Sequence, residues 1–137
     1  MKLVYFWKPF LWFSLVCYVL FSPTSNAPSK LLKYLPASLL SLMKQYPYIL
    51  DKMVHFSLFF VLCLLFFRPF KIIHKKYILL ASIVSVVLAV LMETFQNTIS
   101  ASRHYDIKDL YANVFGVLAA TIFYLVLIKN SKWERYF

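Results

Sequence analysis

The sequence predicts an all-α integral membrane protein: a bundle of four transmembrane helices in a single domain covering residues 1–137. Two compositional features predict this class, because hydrophobic residues make up 62% of the chain and charged residues only 15%. Soluble domains are about 45–50% apolar and about 25% charged. The same composition excludes a disordered chain, and two cysteines are too few for a disulfide-rich scaffold.

The third observation is the length of the apolar runs. A helix needs roughly 20 apolar residues to cross a bilayer, where it satisfies its own backbone hydrogen bonds. Membrane strands would instead alternate in polarity, and these runs are continuous. The predicted transmembrane helices cover about residues 3–22, 50–69, 77–98 and 107–128, with an outer loop over 23–49.

The first apolar run also has features of a secretory signal peptide. Lys2 and Lys8 lie at its start, and a Ser-Asn-Ala triplet at 25–27 fits a small-x-small cleavage site. The run is longer and more aromatic than a usual signal, and Pro28 would follow the cut. We therefore expect a retained first helix.

The basic residues predict the orientation. Nine Lys and Arg fall on the side that holds both termini and the loop 68–76, against six on the other side. The positive-inside rule makes the side with nine cytoplasmic, so both termini are predicted to lie in the cytoplasm. We assign the net charge of +10 to this asymmetry and to anionic lipid headgroups, and expect no nucleic-acid binding.

A short amphipathic segment lies in the outer loop. Between Ala37 and Tyr46, apolar residues recur at helical spacing and polar residues lie between them. This pattern predicts an interfacial helix on the outer leaflet. Packing over the outer end of the bundle is an equal alternative.

The acidic residues gather on one side of the membrane. Four of the five fall at the outer ends of the second, third and fourth helices. Acids do little to set orientation, so topology does not explain this gathering. Residues three or four apart share one helix face, and these spacings predict one polar cluster. Its members are Asp51, Lys52, His55, Glu93, Gln96, Arg103, Asp106, Asp109 and Asn113.

Small residues continue the same helix faces toward the middle of the membrane. Ser82, Ser85 and Ala89 form a stripe on the third helix, and Gly116 and Ala120 form one on the fourth. Small residues allow close helix contact. A short loop makes the third and fourth helices antiparallel neighbours, and the polar face of the second helix is their natural partner.

Structural roles compete with a functional one. Asp51 and Asp106 could each cap a helix, and Arg103 could anchor a lipid headgroup. Glu93 lies roughly 7 Å inside the end of its helix, where a carboxylate is costly unless it is paired or hydrated. A purely structural ion-pair network remains an alternative.

Three linked motifs carry a family resemblance. They are DKMVHF at 51–56, ETFQ at 93–96 and RxxDxxDLxxNxxG at 103–116. Together they resemble the VanZ-like family of small bacterial membrane proteins, although Ala120 stands where that family often has a second Gly. The resemblance implies a multi-pass protein of the bacterial plasma membrane and of the cell envelope. It implies no settled reaction, and the family takes its name from an accessory protein of teicoplanin resistance.

The expected function is to bind or process an anionic lipid or cell-wall-precursor headgroup at the outer face, with a link to glycopeptide resistance through the resemblance. His55, Glu93 and Asp109 are the candidate catalytic residues, and His55 and Glu93 could move protons. Arg103 could hold a phosphate with support from Lys52. The other predicted binding residues are Asp51, Gln96, Asp106 and Asn113.

Two other functions stay open. One is a small proton-coupled transporter. Four short helices would need to form a homodimer to provide a transport path, and the apolar inner halves of the helices disfavour this function. The other is a structural or accessory membrane subunit without chemistry.

We expect no cofactor. A divalent cation is a weaker alternative because the cluster has hard ligands but only one His, without zinc spacing. Cys17 and Cys63 lie in different helices and are expected to be core residues. The expected partners are membrane lipids and a lipid-linked envelope precursor.

Overall fold

The computed structural model describes residues 2–21, 41, 45–99 and 106–136, and all the structure reported below lies within these ranges. Four long helices dominate them. They are α1 (Trp7–Phe21), α2 (Pro47–Ile73), α3 (Tyr77–Ile99) and α4 (Ile107–Phe123). A 3₁₀ turn over Lys2–Phe6 precedes α1, a π-helical turn over Tyr124–Ile128 extends α4, and a 3₁₀ turn over Lys132–Arg135 follows.

Four helical stretches are long and apolar enough to cross a membrane. They are Val4–Phe21, Pro47–Ile73, Tyr77–Gln96 and Ile107–Ile128. The predicted all-α, four-span architecture is thereby confirmed for the described residues. The predicted interfacial helix between Ala37 and Tyr46 lies almost wholly outside them, and the side of the membrane that holds the termini stays a prediction.

The second helix is longer than predicted at both ends. It begins at Pro47, where proline suits the first turn because that position needs no N–H donor. It continues through the buried Pro69 to Ile73 and closes with the His74 N–H donating to the Phe70 carbonyl at 2.8 Å. Membrane helices tolerate such a proline when neighbours pack around it. The predicted 68–76 loop is therefore mostly helix.

Helix α2 lies at the centre of the bundle and contacts all three other helices, most extensively α4. Gly116 explains the tight contact with α4, because a Cβ built there would collide with the backbone carbonyl oxygen of Phe56. Ala120, one turn further, is also fully buried. The predicted close-contact stripe on the fourth helix is correct, and its partner is α2.

Helix α1 packs on the side of the bundle against α2 and α3. The Trp12 indole N–H donates to the Leu58 carbonyl at 3.0 Å. The Cys17 Sγ lies 3.9 Å from the Met92 Sδ, and both cysteines of the chain are free. Cys63 is fully buried, so the second cysteine is the core residue that the sequence predicts.

The bundle has two chemically different ends. The start of α2, the end of α3 and the start of α4 form one end, which carries four of the five acids and is called the acidic end below. The 3₁₀ turn before α1, the turn between α2 and α3 and the segment after α4 form the basic end. Apolar side chains such as Phe10 and Val126 are exposed between the ends, where a bilayer would cover them.

Candidate functional site

Lys52 is the centre of the polar group at the acidic end. Its Nζ donates to the Asp109 Oδ1 in a short contact, to the Asp106 Oδ2 at 2.9 Å and to the Asp51 Oδ2 at 3.4 Å. The Nζ also lies 4.8 Å from the centre of the Tyr48 ring, which is a cation–π arrangement. One ammonium thus joins carboxylates from α2 and from the start of α4. The lysine cannot also be a free anion-binding group.

Asp106 caps α4, as one of the structural alternatives predicts. Its Oδ1 accepts from the backbone N–H of Lys108 at 2.9 Å. The hydrogen bond from Lys52, followed by that from the Lys108 backbone, holds the pKa of the Asp106 carboxyl below its usual range. Asp51 is no helix cap, because α2 begins four residues earlier at Pro47.

Glu93 brings α3 into the same group. Its side chain is 1% exposed, and its Oε1 accepts from the backbone N–H of Asp106 at 3.0 Å. The carboxylate therefore lies against the start of α4 inside the protein. The other oxygen, Oε2, is buried and has no hydrogen-bond partner among the described residues.

His55 and Asn113 meet across the contact between α2 and α4, and both are fully buried. The His55 Nδ1 lies 3.1 Å from the Asn113 Oδ1. An amide oxygen only accepts, so Nδ1 donates and carries the proton in the neutral ring. The His55 Nε2 then presents a lone pair, and it lies 3.8 Å from the Asp109 Oδ1.

The structure brings together seven of the nine predicted site residues. They are Asp51, Lys52, His55, Glu93, Asp106, Asp109 and Asn113. Gln96 is buried, but its Nε2 donates to the Leu20 carbonyl at 2.9 Å and so joins α3 to the end of α1. Arg103 lies outside the described residues.

Tyr48 also belongs to this group and is absent from the site residues that the sequence predicts. Its ring faces the Nζ of Lys52 and, at 5.3 Å, the Nζ of Lys108. The signal was available in the sequence, because Tyr48 precedes Lys52 by four residues and shares its helix face. It was hidden because the second helix was predicted to begin after this position.

One of three comparisons with known proteins finds a match. A family model described as VanZ/LLP1 matches residues 6–128. The chain belongs to the VanZ-like family. The comparison with curated proteins finds no match, and the comparison with solved structures finds none either. The resemblance based on the three polar motifs is therefore confirmed over most of the chain.

This VanZ-like protein offers a limited set of metal ligands. Ligand atoms of Asp51, His55 and Asp109 lie within 4.8 Å of one another. However, the ammonium of Lys52 contacts both of these carboxylates. A metal ion at this position would compete with the ammonium for both carboxylates.

Below the acidic end, the VanZ-like bundle is sealed by apolar packing. Phe59, Leu62, Ala89 and Val117 are all fully buried. A second polar group lies deeper, where the Ser82 and Thr121 hydroxyls are 2.8 Å apart. About two helical turns separate Glu93 from the nearest buried serine on α3, Ser85, which is roughly 12 Å at 1.5 Å per residue.

A third polar group, which the sequence did not predict, closes the basic end. Glu134 accepts from the Lys71 Nζ at 2.6 Å and from the Tyr124 hydroxyl at 3.0 Å. Its Oε2 accepts from the Asn130 N–H at 3.1 Å. The ion pair with Lys71 holds the pKa of the Glu134 carboxyl below its usual range. A single acid on an otherwise basic side was the available signal.

Proposed function

We propose that this chain binds the headgroup of an anionic envelope lipid, or of a lipid-linked cell-wall precursor, at its acidic end. Three buried atoms carry the proposal: His55 Nε2, Glu93 Oε2 and Asn113 Nδ2, which have no hydrogen-bond partner among the described residues. Burying such an atom unpaired costs about 1–3 kcal/mol, and proteins usually pair such atoms with their own groups, water or a ligand. A headgroup hydroxyl or amide N–H would donate to the His55 Nε2 and the Glu93 Oε2, and a hydroxyl, carbonyl or phosphate oxygen would accept from the Asn113 Nδ2.

The contacts change the role of Lys52 in this proposal. Because three carboxylates engage its ammonium, Lys52 holds the acids in place and does not bind the anion itself. Positive charge for a phosphate would come from Arg103 and from the exposed Lys108, which lies beside Tyr48. Arginine suits this role because its planar guanidinium makes paired hydrogen bonds to phosphate.

Proton transfer is the chemistry that the site could add to binding. The neutral His55 ring presents its Nε2 as a base, and Asp109 at 3.8 Å would stabilise the charge after protonation. The Glu93 Oε2 is a second acceptor in the same group. If the headgroup is processed, these two residues are the candidates to take or deliver its proton.

The location of the protein and its role in resistance are proposed from the sequence and from family membership. We propose a bacterial plasma-membrane location with the basic end in the cytoplasm, since the described basic end holds several lysines and one acid. A role in glycopeptide resistance is proposed from the family alone. Lys52 favours a site without a resident metal.

Lipid retention tests the binding proposal directly. The full chain would be purified in mild detergent, and co-purifying lipids would be compared by mass spectrometry between wild type, Arg103→Ala and Glu93→Gln. We expect both variants to lose one headgroup class selectively. Thr94→Ala, an exposed position beside Glu93, is the matched control and should retain it. An unchanged lipid profile in Arg103→Ala would contradict the proposal.

The envelope role needs a test in cells. Strains expressing wild type, His55→Gln or Arg103→Ala would be compared for teicoplanin sensitivity at equal membrane abundance. We expect the wild type alone to change sensitivity. Equal effects of all three proteins would separate the envelope phenotype from this site.

A structural role is the second candidate, and two contacts favour it. The Glu93 Oε1 holds the start of α4, and Gln96 ties α3 to α1. Glu93→Gln keeps an oxygen that can accept from Asp106, so a cluster with a binding role should survive this change. If Glu93→Gln and His55→Ala both unfold the protein in detergent, the cluster is architectural.

A transporter is disfavoured by the apolar layer below the site.

A further inference from the structure

A groove between α3 and α4 opens at the basic end, on the opposite side of the bilayer from the acidic cluster. It has a volume of about 480 Å³ and is lined along its length by apolar side chains that include Leu79 and Leu118. Ser82 and Thr121 also line it, and their hydroxyl oxygens lie 2.8 Å apart. Its chemistry therefore changes from apolar to charged toward the membrane surface.

Three lysines surround the mouth of this groove: Lys75, Lys76 and Lys129. They come from two separate segments, the turn between α2 and α3 and the end of the π-helical turn that extends α4. The backbone N–H of Lys76 donates to the His74 Nδ1 at 3.0 Å, which fixes the first segment. The Lys129 N–H bonds to the Tyr124 carbonyl at 2.7 Å, which fixes the second.

No carboxylate among the described residues pairs with any of these three lysines. The acid at this end, Glu134, is already engaged by Lys71 and by the Tyr124 hydroxyl. Positive charge therefore concentrates at the mouth of an apolar groove at headgroup depth. Basic pockets between membrane helices select phospholipids with anionic headgroups.

We propose that this groove holds one anionic phospholipid, with its phosphate at Lys75, Lys76 and Lys129 and an acyl chain along Leu79 and Leu118. Charge complementarity selects the headgroup, and the apolar walls distinguish an intact lipid from a free phosphate. The site is separate from the acidic end and does not depend on the function proposed there. Its occupant would brace α3 against α4 from the basic end.

The test is lipid binding to the full chain in detergent, counted by native mass spectrometry. Phosphatidylglycerol would be compared with phosphatidylcholine carrying the same acyl chains. We expect preferential retention of phosphatidylglycerol, reduced about tenfold to thirtyfold in the double variant Lys76→Gln/Lys129→Gln. The control Lys8→Gln/Lys132→Gln removes the same charge elsewhere at this end and should retain the lipid.

Additional variants distinguish lipid binding in this groove from poor folding and from binding at the acidic end. Leu118→Trp fills the groove without changing charge and should also reduce retention, and it serves if the lysine variant folds poorly. The lysine effect should persist in the Arg103→Ala background, which isolates it from the acidic end. Three results would overturn the proposal. The first is equal retention of both lipids, and the second is displacement of the lipid by glycerol phosphate alone. The third is a dimer mass together with lipid binding that the lysine change does not affect.

Discussion

Replacing Gly116 with alanine tests the contact that assembles the acidic end. The added methyl group would overlap the carbonyl oxygen of Phe56, a backbone atom that cannot rotate away. Overpacking of this kind costs about 1–3 kcal/mol, and alanine returns about 0.5–1 kcal/mol in helix propensity. From the middle of both ranges, we expect a net loss of about 1 kcal/mol in the free energy of unfolding.

The same substitution should also disturb the site. Ordinary van der Waals contact needs about 3.5 Å, so α2 and α4 would separate by roughly 1 Å. The hydrogen bond between the His55 Nδ1 and the Asn113 Oδ1 lies one turn away at 3.1 Å and would stretch beyond bonding distance. Stability and headgroup retention should therefore fall together.

Reversible unfolding in mixed detergent micelles measures the first effect, and co-purifying lipid measures the second. Ala119→Ser adds one atom at a half-buried position of the same helix and should change neither. Unchanged stability in Gly116→Ala would refute the reasoning, because it would mean that the two helices are not held this closely.

Three further predictions concern charge. Lys52→Gln should cost about 3 kcal/mol, because it leaves the buried Asp109 carboxylate without its cation. Asp51→Asn, at the longest and most exposed of these contacts, should cost less than about 1 kcal/mol, and similar midpoints of detergent unfolding for the two variants would contradict this. The lowered pKa of Asp106 means that the stabilisation from this carboxylate is present at neutral pH and lost as pH falls below about 4. A pH titration of unfolding should therefore show acid destabilisation that Asp106→Asn reduces. Equal acid sensitivity of the wild type and Asp106→Asn would count against this prediction. Glu134→Gln should release the turn over Lys132–Arg135 and increase its cleavage by limited proteolysis in micelles. If this variant resists the protease as well as the wild type does, the ion pair does not hold the turn.

Helix positions and polar spacing were sufficient to predict most of the acidic end. Asp106, Asp109 and Asn113 lie three and four residues apart, and an apolar environment forces such a polar face inward. The partner of that face was less certain, because sequence periodicity does not say which helices touch. Gly116 supplied the closest indication, since a small residue permits close approach without naming the partner.

The individual contacts could not be predicted from spacing. Gln96 shares a face with Glu93, yet a long side chain at the end of α3 reaches the Leu20 carbonyl on a different helix. Asp51 resembled a helix cap because the apolar run begins near it, but Pro47 starts the helix one turn earlier. The distribution of charge around Lys52 depends on how α2 and α4 pack, which is a tertiary property.

The ammonium at the centre of the acidic end is part of the chain itself. Many clusters of carboxylates depend on an ion taken from the surroundings, and they loosen when chelators remove it. Here the positive charge is covalently attached and present once per protein molecule, whatever the salt composition of the surroundings. A membrane protein built this way would keep its folded geometry in media depleted of calcium and magnesium.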